Sequence, residues 1–208
     1  MHRHQPSATH HRASARTGAA DAPATVIYLD TVPSPGHWTA VITHLHQHLG
    51  GRIAQLTYTP PDMVDRASRR GALATDLDAR LAETAGARVL VTRGQAVFPA
   101  LCWAASAPQR AAAITGLVLF DPPASGHQIL DGLDLDRLRA TPTWVISTHT
   151  ADPNDTDVAR MLGELLWAEH DVITQPTNHL QCGLPVAASD PILAALQVAH
   201  DTQLREGA

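Results

Sequence analysis

The sequence predicts an α/β protein built as a three-layer sandwich, with a mostly parallel sheet of about six strands and helices on both of its faces. Short apolar runs rich in β-branched residues alternate along the chain with longer amphipathic stretches. The apolar runs are nearly continuous, as expected for parallel strands that are buried on both sides. Right-handed crossovers between such strands distribute the helices over the two faces.

Each predicted element follows from this alternation. The predicted strands cover residues 25–30, 52–58, 88–92, 114–120, 143–148 and 171–175. The predicted helices cover residues 37–48, 68–85, 95–107, 156–169 and 187–203. In the second helix one apolar stripe recurs every four residues, at Leu73, Leu77, Leu81 and Ala85. Ligands of such folds bind beyond the carboxyl ends of the strands, so the loops there are where we expect the site.

The first 24 residues differ from the rest of the chain. They contain histidine, arginine and serine without an apolar period, and no apolar run of roughly 7–15 residues that a secretory signal requires. We therefore predict a disordered tail over residues 1–24 and one α/β domain over residues 25–208. A cytoplasmic location is expected, which fits two unpaired cysteines.

Composition excludes several classes of protein. Hydrophobic residues make up 44% and charged residues 17%, which is enough apolar material for a sizeable core. No stretch approaches the roughly 20 apolar residues of a membrane span. The net charge of −5 offers no basic surface for nucleic acid, so we expect neither nucleic acid nor a membrane as partner. The chain has no lysine, which excludes a Walker phosphate loop and Schiff-base chemistry.

A strand runs directly into a helix at residues 89–96, which read Val-Leu-Val-Thr-Arg-Gly-Gln-Ala. Pro108 follows Gly94 by fourteen residues and precedes the next predicted strand. Asp152 comes shortly after the fifth predicted strand, and His179 comes after the last. In this order of features the chain resembles the α/β-hydrolase superfamily, in which a strand–turn–helix elbow of pattern G-x-S-x-G exposes a nucleophilic serine.

The resemblance covers about residues 25–203 and implies where a Ser-His-Asp site would lie. Gly94 occupies the nucleophile position and His179 the histidine position. Asp152 occupies the acid position, and Asp121, at the end of the fourth predicted strand, is the other carboxylate that could orient His179. The resemblance therefore implies a degenerate member of the superfamily, because the glycine at the nucleophile position has no side chain.

The resemblance also implies which residues surround the pocket. Asp30 and Thr31 replace the family's usual His-Gly pair beside the oxyanion hole. Arg93 and Gln95 flank the elbow, where Arg93 could hold an anionic group and the Gln95 amide could face the pocket. The segment 121–142 leaves little room for a lid, so we expect no sizeable one.

Glycine at position 94 has a physical explanation. The elbow holds its nucleophile residue at positive φ, which costs an ordinary residue roughly 1–3 kcal/mol and glycine little. The substitution therefore keeps the turn but removes the atom that would form an acyl-enzyme. Covalent serine-hydrolase catalysis cannot run on Gly94.

Other reactive side chains are weaker candidates. Cys182 follows His179 closely and is a possible alternative nucleophile, whereas Cys102 is expected in the core. His44 and His48 have the i, i+4 spacing of a zinc site but no third ligand, so a surface pair is the better interpretation. We expect no metal and no cofactor.

Three functions are compatible with these residues. The first is a non-covalent, histidine-dependent catalyst of lyase, isomerase or cyclase type, without standard esterase activity, using His179 with Asp152 or Asp121. The second is a pseudoenzyme that binds a ligand or a partner. The third is a residual hydrolase or acyl transferase using water or Cys182. The expected ligand is a small molecule or a carrier-bound acyl group; a homodimer and an accessory role in biosynthesis are compatible with the sequence.

Overall fold

The computed structural model of the chain describes residues 14–19, 21–30, 37–58, 66–148, 152–173 and 184–206. Within these ranges the strands are β1 (Ser14–Thr17), β2 (Ala24–Leu29), β3 (Ile53–Tyr58), β4 (Ala87–Arg93), β5 (Gly116–Phe120), β6 (Thr143–Thr148) and β7 (Glu169–Ile173). The helices are α1 (Thr39–Leu49), α2 (Arg66–Ala82), α3 (Val97–Ala105), α4 (Pro108–Ala112), α5 (Leu135–Arg139), α6 (Pro153–Leu166) and α7 (Ser189–Glu206).

The strands form one seven-stranded sheet in the order β1-β3-β2-β4-β5-β6-β7. All neighbouring pairs are parallel except β1 with β3, which is antiparallel. Strands β2 and β4 lie side by side although β3 separates them in sequence. The direction in which successive strands are added to the sheet therefore reverses between β2 and β4. In parallel sheets such a reversal opens a crevice at the carboxyl ends of the strands.

Helices cover both faces of the sheet and bury two apolar clusters. Helices α2, α3, α5 and α6 cover what we call the α3 face, where Leu90 and Leu117 of the sheet are buried. Helices α1 and α7 cover the opposite α1 face, where Val91 and Phe120 are buried. Neighbouring residues of one strand thus point into different clusters, as the two-residue period of a strand requires. The predicted three-layer sandwich is confirmed.

The predicted apolar stripe of α2 is largely correct. Leu73, Leu77 and Leu81 are buried on the α3 face. Ala85 is exposed and lies beyond the end of the helix at Ala82. The stripe therefore ends one turn earlier than the sequence period indicated.

The predicted tail boundary needs a correction. Residues Ser14–Thr17 form β1 and pair with β3, so an ordered strand lies inside the range 1–24 that was predicted to be disordered. Residues 15–17 are exposed on this edge strand, and a strand without a buried face carries no hydrophobic period. Residues 1–13 lie outside the described part of the chain.

The segment between β5 and β6 packs onto the domain. It forms a 3-10 turn at Ala124–Gly132 and helix α5, and both contribute buried leucines, Leu130 and Leu138, to the α3 face. The expectation that the protein has no sizeable lid stays a prediction. In the described ranges no helix is both long enough and apolar enough to cross a membrane.

Candidate functional site

Four of the residues in question lie at or just after the carboxyl ends of four neighbouring strands. Asp30 follows β2, Gly94 follows β4, Asp121 follows β5, and Thr148 is the last residue of β6. Because β2, β4, β5 and β6 are adjacent and parallel, these residues lie side by side at their carboxyl ends. This edge is the candidate active site.

The turn after β4 leads directly into a helix. Gly94 begins a 3-10 turn, Gly94–Ala96, which continues into α3 as the Val97 N–H donates to the Gly94 carbonyl. Gly94 has a φ of +54°, so the predicted positive φ is confirmed. A Cβ atom built on Gly94 meets no atom of the described residues within 4 Å. Among the described residues, therefore, nothing opposes a side chain here except the unfavourable φ.

Asp121 forms hydrogen bonds that connect the ends of three strands. Its Oδ1 accepts hydrogen bonds from the Thr148 backbone N–H at 2.7 Å and the Thr148 hydroxyl at 2.9 Å. Its Oδ2 lies 3.2 Å from Nε of Arg93 and 2.9 Å from the same hydroxyl. Asp121 itself has a φ of +47°, which is unfavourable for a residue with a side chain. The bonds to β4 and β6 therefore hold this carboxylate in place at the edge of the sheet, and its predicted role beside His179 stays a prediction.

Asp30 binds a histidine that the sequence analysis did not single out. Its Oδ2 lies 2.9 Å from Nδ1 of His37, and the two side chains are 15% and 24% exposed. Asp30 and Asp121 follow strands that are separated by β4. The Asp30 carboxylate contacts the His37 imidazole and not the carboxylate of Asp121. A partly buried imidazole held by a carboxylate is a common arrangement for proton transfer.

His37 is held by its backbone and by its neighbour. Its carbonyl accepts a hydrogen bond from the Leu184 N–H at 2.9 Å. The adjacent Trp38 is buried on the α1 face, with its ring 5.1 Å from that of Tyr28 and 6.0 Å from that of Phe120. Burial raises the pKa of Tyr28 well above its ordinary value, so its hydroxyl stays protonated and donates to Gln55 at 2.7 Å.

The remaining predicted site residues are distributed differently. Gln95 is exposed, and its side-chain amide lies 3.5 Å from the Ser125 hydroxyl. Asp152 is exposed and caps helix α6 by accepting the Asn154 N–H at 2.8 Å. The predicted positions Thr31, His179 and Cys182 lie outside the described residues, and so does any contact of Asp152 or Asp121 with His179.

Sequence reasoning missed His37 and Thr148. Thr148 ends a predicted strand, which is a signal that could have placed it at this edge. The link between His37 and Asp30 could not be predicted, because the sequence between them has no periodic pattern. The only signal was a histidine as the first residue of the predicted helix that follows the first strand.

Other reactive groups among the described residues have contacts of their own. The rings of His44 and His48 are 4.0 Å apart on α1, and in the part of the chain that the structure covers no three potential ligands come together as a metal site. The Ser147 hydroxyl, buried on the α3 face, lies 3.2 Å from Nε2 of His170. Cys102 is half-buried on α3.

Solved structures with this arrangement of strands and helices identify the fold. A carboxylesterase of the thaumarchaeon Nitrososphaera gargenis superposes with a TM-score of 0.63 at 11% identity, over 92% of this chain and 96% of that one. An α/β hydrolase of Sphaerobacter thermophilus gives a TM-score of 0.54 at 15% identity, over 89% and 96% of the two chains.

The chain has the α/β-hydrolase fold. The thioesterase domain of the curacin biosynthetic pathway also superposes on it, with a TM-score of 0.57 at 12% identity over 89% of this chain and 94% of that domain. No family model and no curated protein matches the sequence. At these sequence identities the similarity establishes the fold, and the reaction that the protein supports depends on the residues of its site.

Proposed function

We propose that this α/β-hydrolase-fold protein acts without a covalent intermediate, by histidine-dependent acid–base chemistry of lyase, isomerase or cyclase type. The proposed ligand is a small organic molecule or an acyl group presented by a carrier. The observation that carries the proposal is Gly94, which stands at the turn between β4 and α3 with positive φ and open space before it.

Loss of the nucleophile limits the reactions available. An acyl-enzyme needs a side-chain oxygen or sulfur at the attacking position, and glycine has neither. Acid–base catalysis needs only an oriented proton acceptor within reach of the substrate. The contact between Asp30 and His37 at the same edge of the sheet supports such a group, and His179 is proposed as a second one from the sequence.

The neighbouring folds support the ligand class. The superposed structures include a carboxylesterase and a thioesterase domain, whose ligands contain acyl groups. A pocket inherited from that fold would hold a carbonyl oxygen near the first turn after β4, where backbone N–H groups have no intrahelical acceptor. Ester and thioester carbonyls are therefore the groups to test first.

Burst kinetics with p-nitrophenyl acetate test the loss of covalent catalysis. We expect no burst of p-nitrophenol from the wild type and a burst from Gly94→Ser, because a serine there would have room to reach the ligand. Gly50→Ser is the matched control, since Gly50 has the same φ of +54° and equally open space at the end of α1. A burst from the wild type, abolished by Cys182→Ala, would establish a residual acyl transferase instead.

A further inference from the structure

We propose that His37 and Asp30 are the proton-transfer pair of this site, and that its substrate is an ester or thioester with a hydrogen on the carbon beside the carbonyl. The inference rests on the non-covalent function proposed above. It assigns the proton acceptor to a residue near the start of α1 and not to the position after β7 that the family resemblance implies.

The contact with Asp30 determines which nitrogen of His37 is available. A carboxylate only accepts hydrogen bonds, so the hydrogen on the neutral ring lies on Nδ1, 2.9 Å from Oδ2 of Asp30. Nε2 then carries the lone pair. Among the residues that the structure describes, none bonds to this nitrogen, and the side chain is 24% exposed. His37 is therefore oriented as a base whose reactive atom can meet a ligand.

Rigid elements hold both members of the pair. The Asp30 N–H donates to the carbonyl of Tyr58 at the end of β3, at 3.1 Å. The His37 carbonyl accepts from Leu184, and the buried Trp38 anchors the next residue between two aromatic rings. A base held in this way loses little conformational freedom when the substrate binds, which is what efficient proton transfer requires.

Strand register places the pair beside Gly94. Leu29 of β2 is paired with Thr92 of β4, so Asp30 and Arg93 are the next residues along two adjacent strands, which are about 5 Å apart. Alternation directs both toward the α1 face, the face on which Trp38 is buried. The open space before Gly94 follows directly.

Arg93 is paired with the other carboxylate of this edge. The Arg93 Nε atom contacts Asp121, whose other oxygen is bound by Thr148. Arg93 thus makes its ion pair on the β5 side, away from Asp30, and Oδ2 of Asp30 binds His37. The two carboxylates at this edge have separate partners and separate tasks.

The proposed step balances without any further reactant. Nε2 of His37 takes a proton from the carbon beside the carbonyl, and the electron pair of the broken C–H bond forms a C=C bond as the carbonyl π pair moves to oxygen. The resulting enolate oxygen is stabilised by backbone N–H groups at the turn after Gly94. The imidazolium then returns its proton to carbon, which gives exchange or isomerisation. Alternatively, the enolate oxygen re-forms the carbonyl, the pair of its C=C bond forms a double bond to the next carbon, and a leaving group there departs with the electrons of its own bond and takes the proton from the imidazolium, which gives a lyase reaction.

Hydrogen exchange in D₂O tests this step on the full chain. The probe is the propionyl thioester of N-acetylcysteamine. Proton NMR measures how fast the signal of the hydrogens beside the carbonyl is lost, and the released thiol is measured in the same sample. We expect wild-type exchange without thiol release. His37→Asn should slow exchange about 100-fold or more, and Asp30→Asn about 10-fold through loss of ring orientation.

Control variants separate this inference from the proposed function. His46→Asn removes an exposed histidine of α1 and should leave exchange unchanged. Exchange that survives His37→Asn but is lost in His179→Asn overturns the assignment of the base while the non-covalent function stands. Thiol release with an acyl-enzyme overturns the proposed function, and absence of wild-type exchange overturns the substrate assignment.

A second measurement does not depend on the folding of a variant. Nitrogen-15 NMR of the wild type reports the tautomer of each histidine, with His37→Gln used to identify its signals. We expect the Nδ1–H form at His37 when the ring is neutral. An Nε2–H form would overturn the proposal, because the lone pair would then face Asp30.

Discussion

The Oδ2 atom of Asp121 lies 3.2 Å from the Nε atom of Arg93, an ion pair that links the residue after β5 to the last residue of β4. The two side chains are 12% and 23% exposed, so solvent screens the pair only in part. Thr148 completes the network from β6. A carboxylate with this many partners stabilises the edge of the sheet on which Gly94 lies.

Asp121→Asn should destabilise the fold by about 2 kcal/mol, because the amide cannot accept all the bonds that Arg93 and Thr148 donate to the carboxylate. Urea unfolding measures this loss. The control is Asp157→Asn, which removes an ion pair with Arg160 whose side chains are 73% and 63% exposed. That exposed pair should contribute about 0.5 kcal/mol or less. Equal losses in the two variants would show that Asp121 is not a structural link.

Gly94→Ala should destabilise the fold by about 1 kcal/mol through backbone strain alone. The added methyl group meets no described atom within 4 Å, so steric overlap does not contribute. Gly50→Ala, at the same φ of +54° and also in open space, should lose a similar amount. A loss several times larger at position 94 alone would show that the space before Gly94 is filled.

Asp78 should give the fold a stabilising contribution that depends on pH. Burial raises the pKa of Asp78, but hydrogen bonds from Arg110 and Trp103 and the charge of Arg110 outweigh that effect, and the net pKa is lowered. Because the folded pKa is below the unfolded one, the contribution is complete above about pH 4 and is lost as the pH falls through the folded pKa.

Asp78→Asn should therefore be less stable than wild type at neutral pH, by about 1 kcal/mol since the side chain is 43% exposed. The difference should shrink in thermal unfolding below about pH 4. Asp136→Asn is the control, because Asp136 is 87% exposed in its pair with Arg139. A deficit in Asp78→Asn that stays constant down to acidic pH would contradict the assigned cause.

Leu77→Ala should destabilise the fold by about 3 kcal/mol, because Leu77 is fully buried between α2 and the sheet and its truncation leaves a cavity. Val186→Ala, at a residue that is 44% exposed, is the comparison and should change stability by less than about 1 kcal/mol. Urea unfolding of both variants distinguishes a packed α2 from a loosely attached one.

The sequence predicted most elements because buried strands and amphipathic helices have strong hydrophobic periods. Edge strand β1 was missed since residues 15–17 are exposed. Trp167 is 76% exposed although tryptophan is usually a largely buried residue. It lies at the left-handed C-terminus of α6, with the Arg139 guanidinium 4.6 Å from its ring centre. Side-chain type alone does not encode which turn of a helix faces solvent.

The candidate site could be predicted only where strands define it. Asp30, Gly94 and Asp121 follow apolar strands directly, so the sequence placed them at one edge of the sheet. Their partners could not be predicted in the same way. His37 contacts Asp30 although the sequence between them has no periodic pattern. The contacts of Asp121 with Arg93 and Thr148 depend on the order of β4, β5 and β6 in the sheet.

Mass spectrometry of the intact protein after incubation with p-nitrophenyl acetate shows directly whether covalent catalysis has been lost. The chain has no lysine, so acetylation of side-chain amines adds no background. We predict an unmodified wild type, and a Gly94→Ser variant that carries one acetyl group on the peptide containing position 94. A wild-type protein that carries a stoichiometric acetyl group on a single side chain would contradict the account, because it would show that covalent catalysis persists without a nucleophile at the elbow.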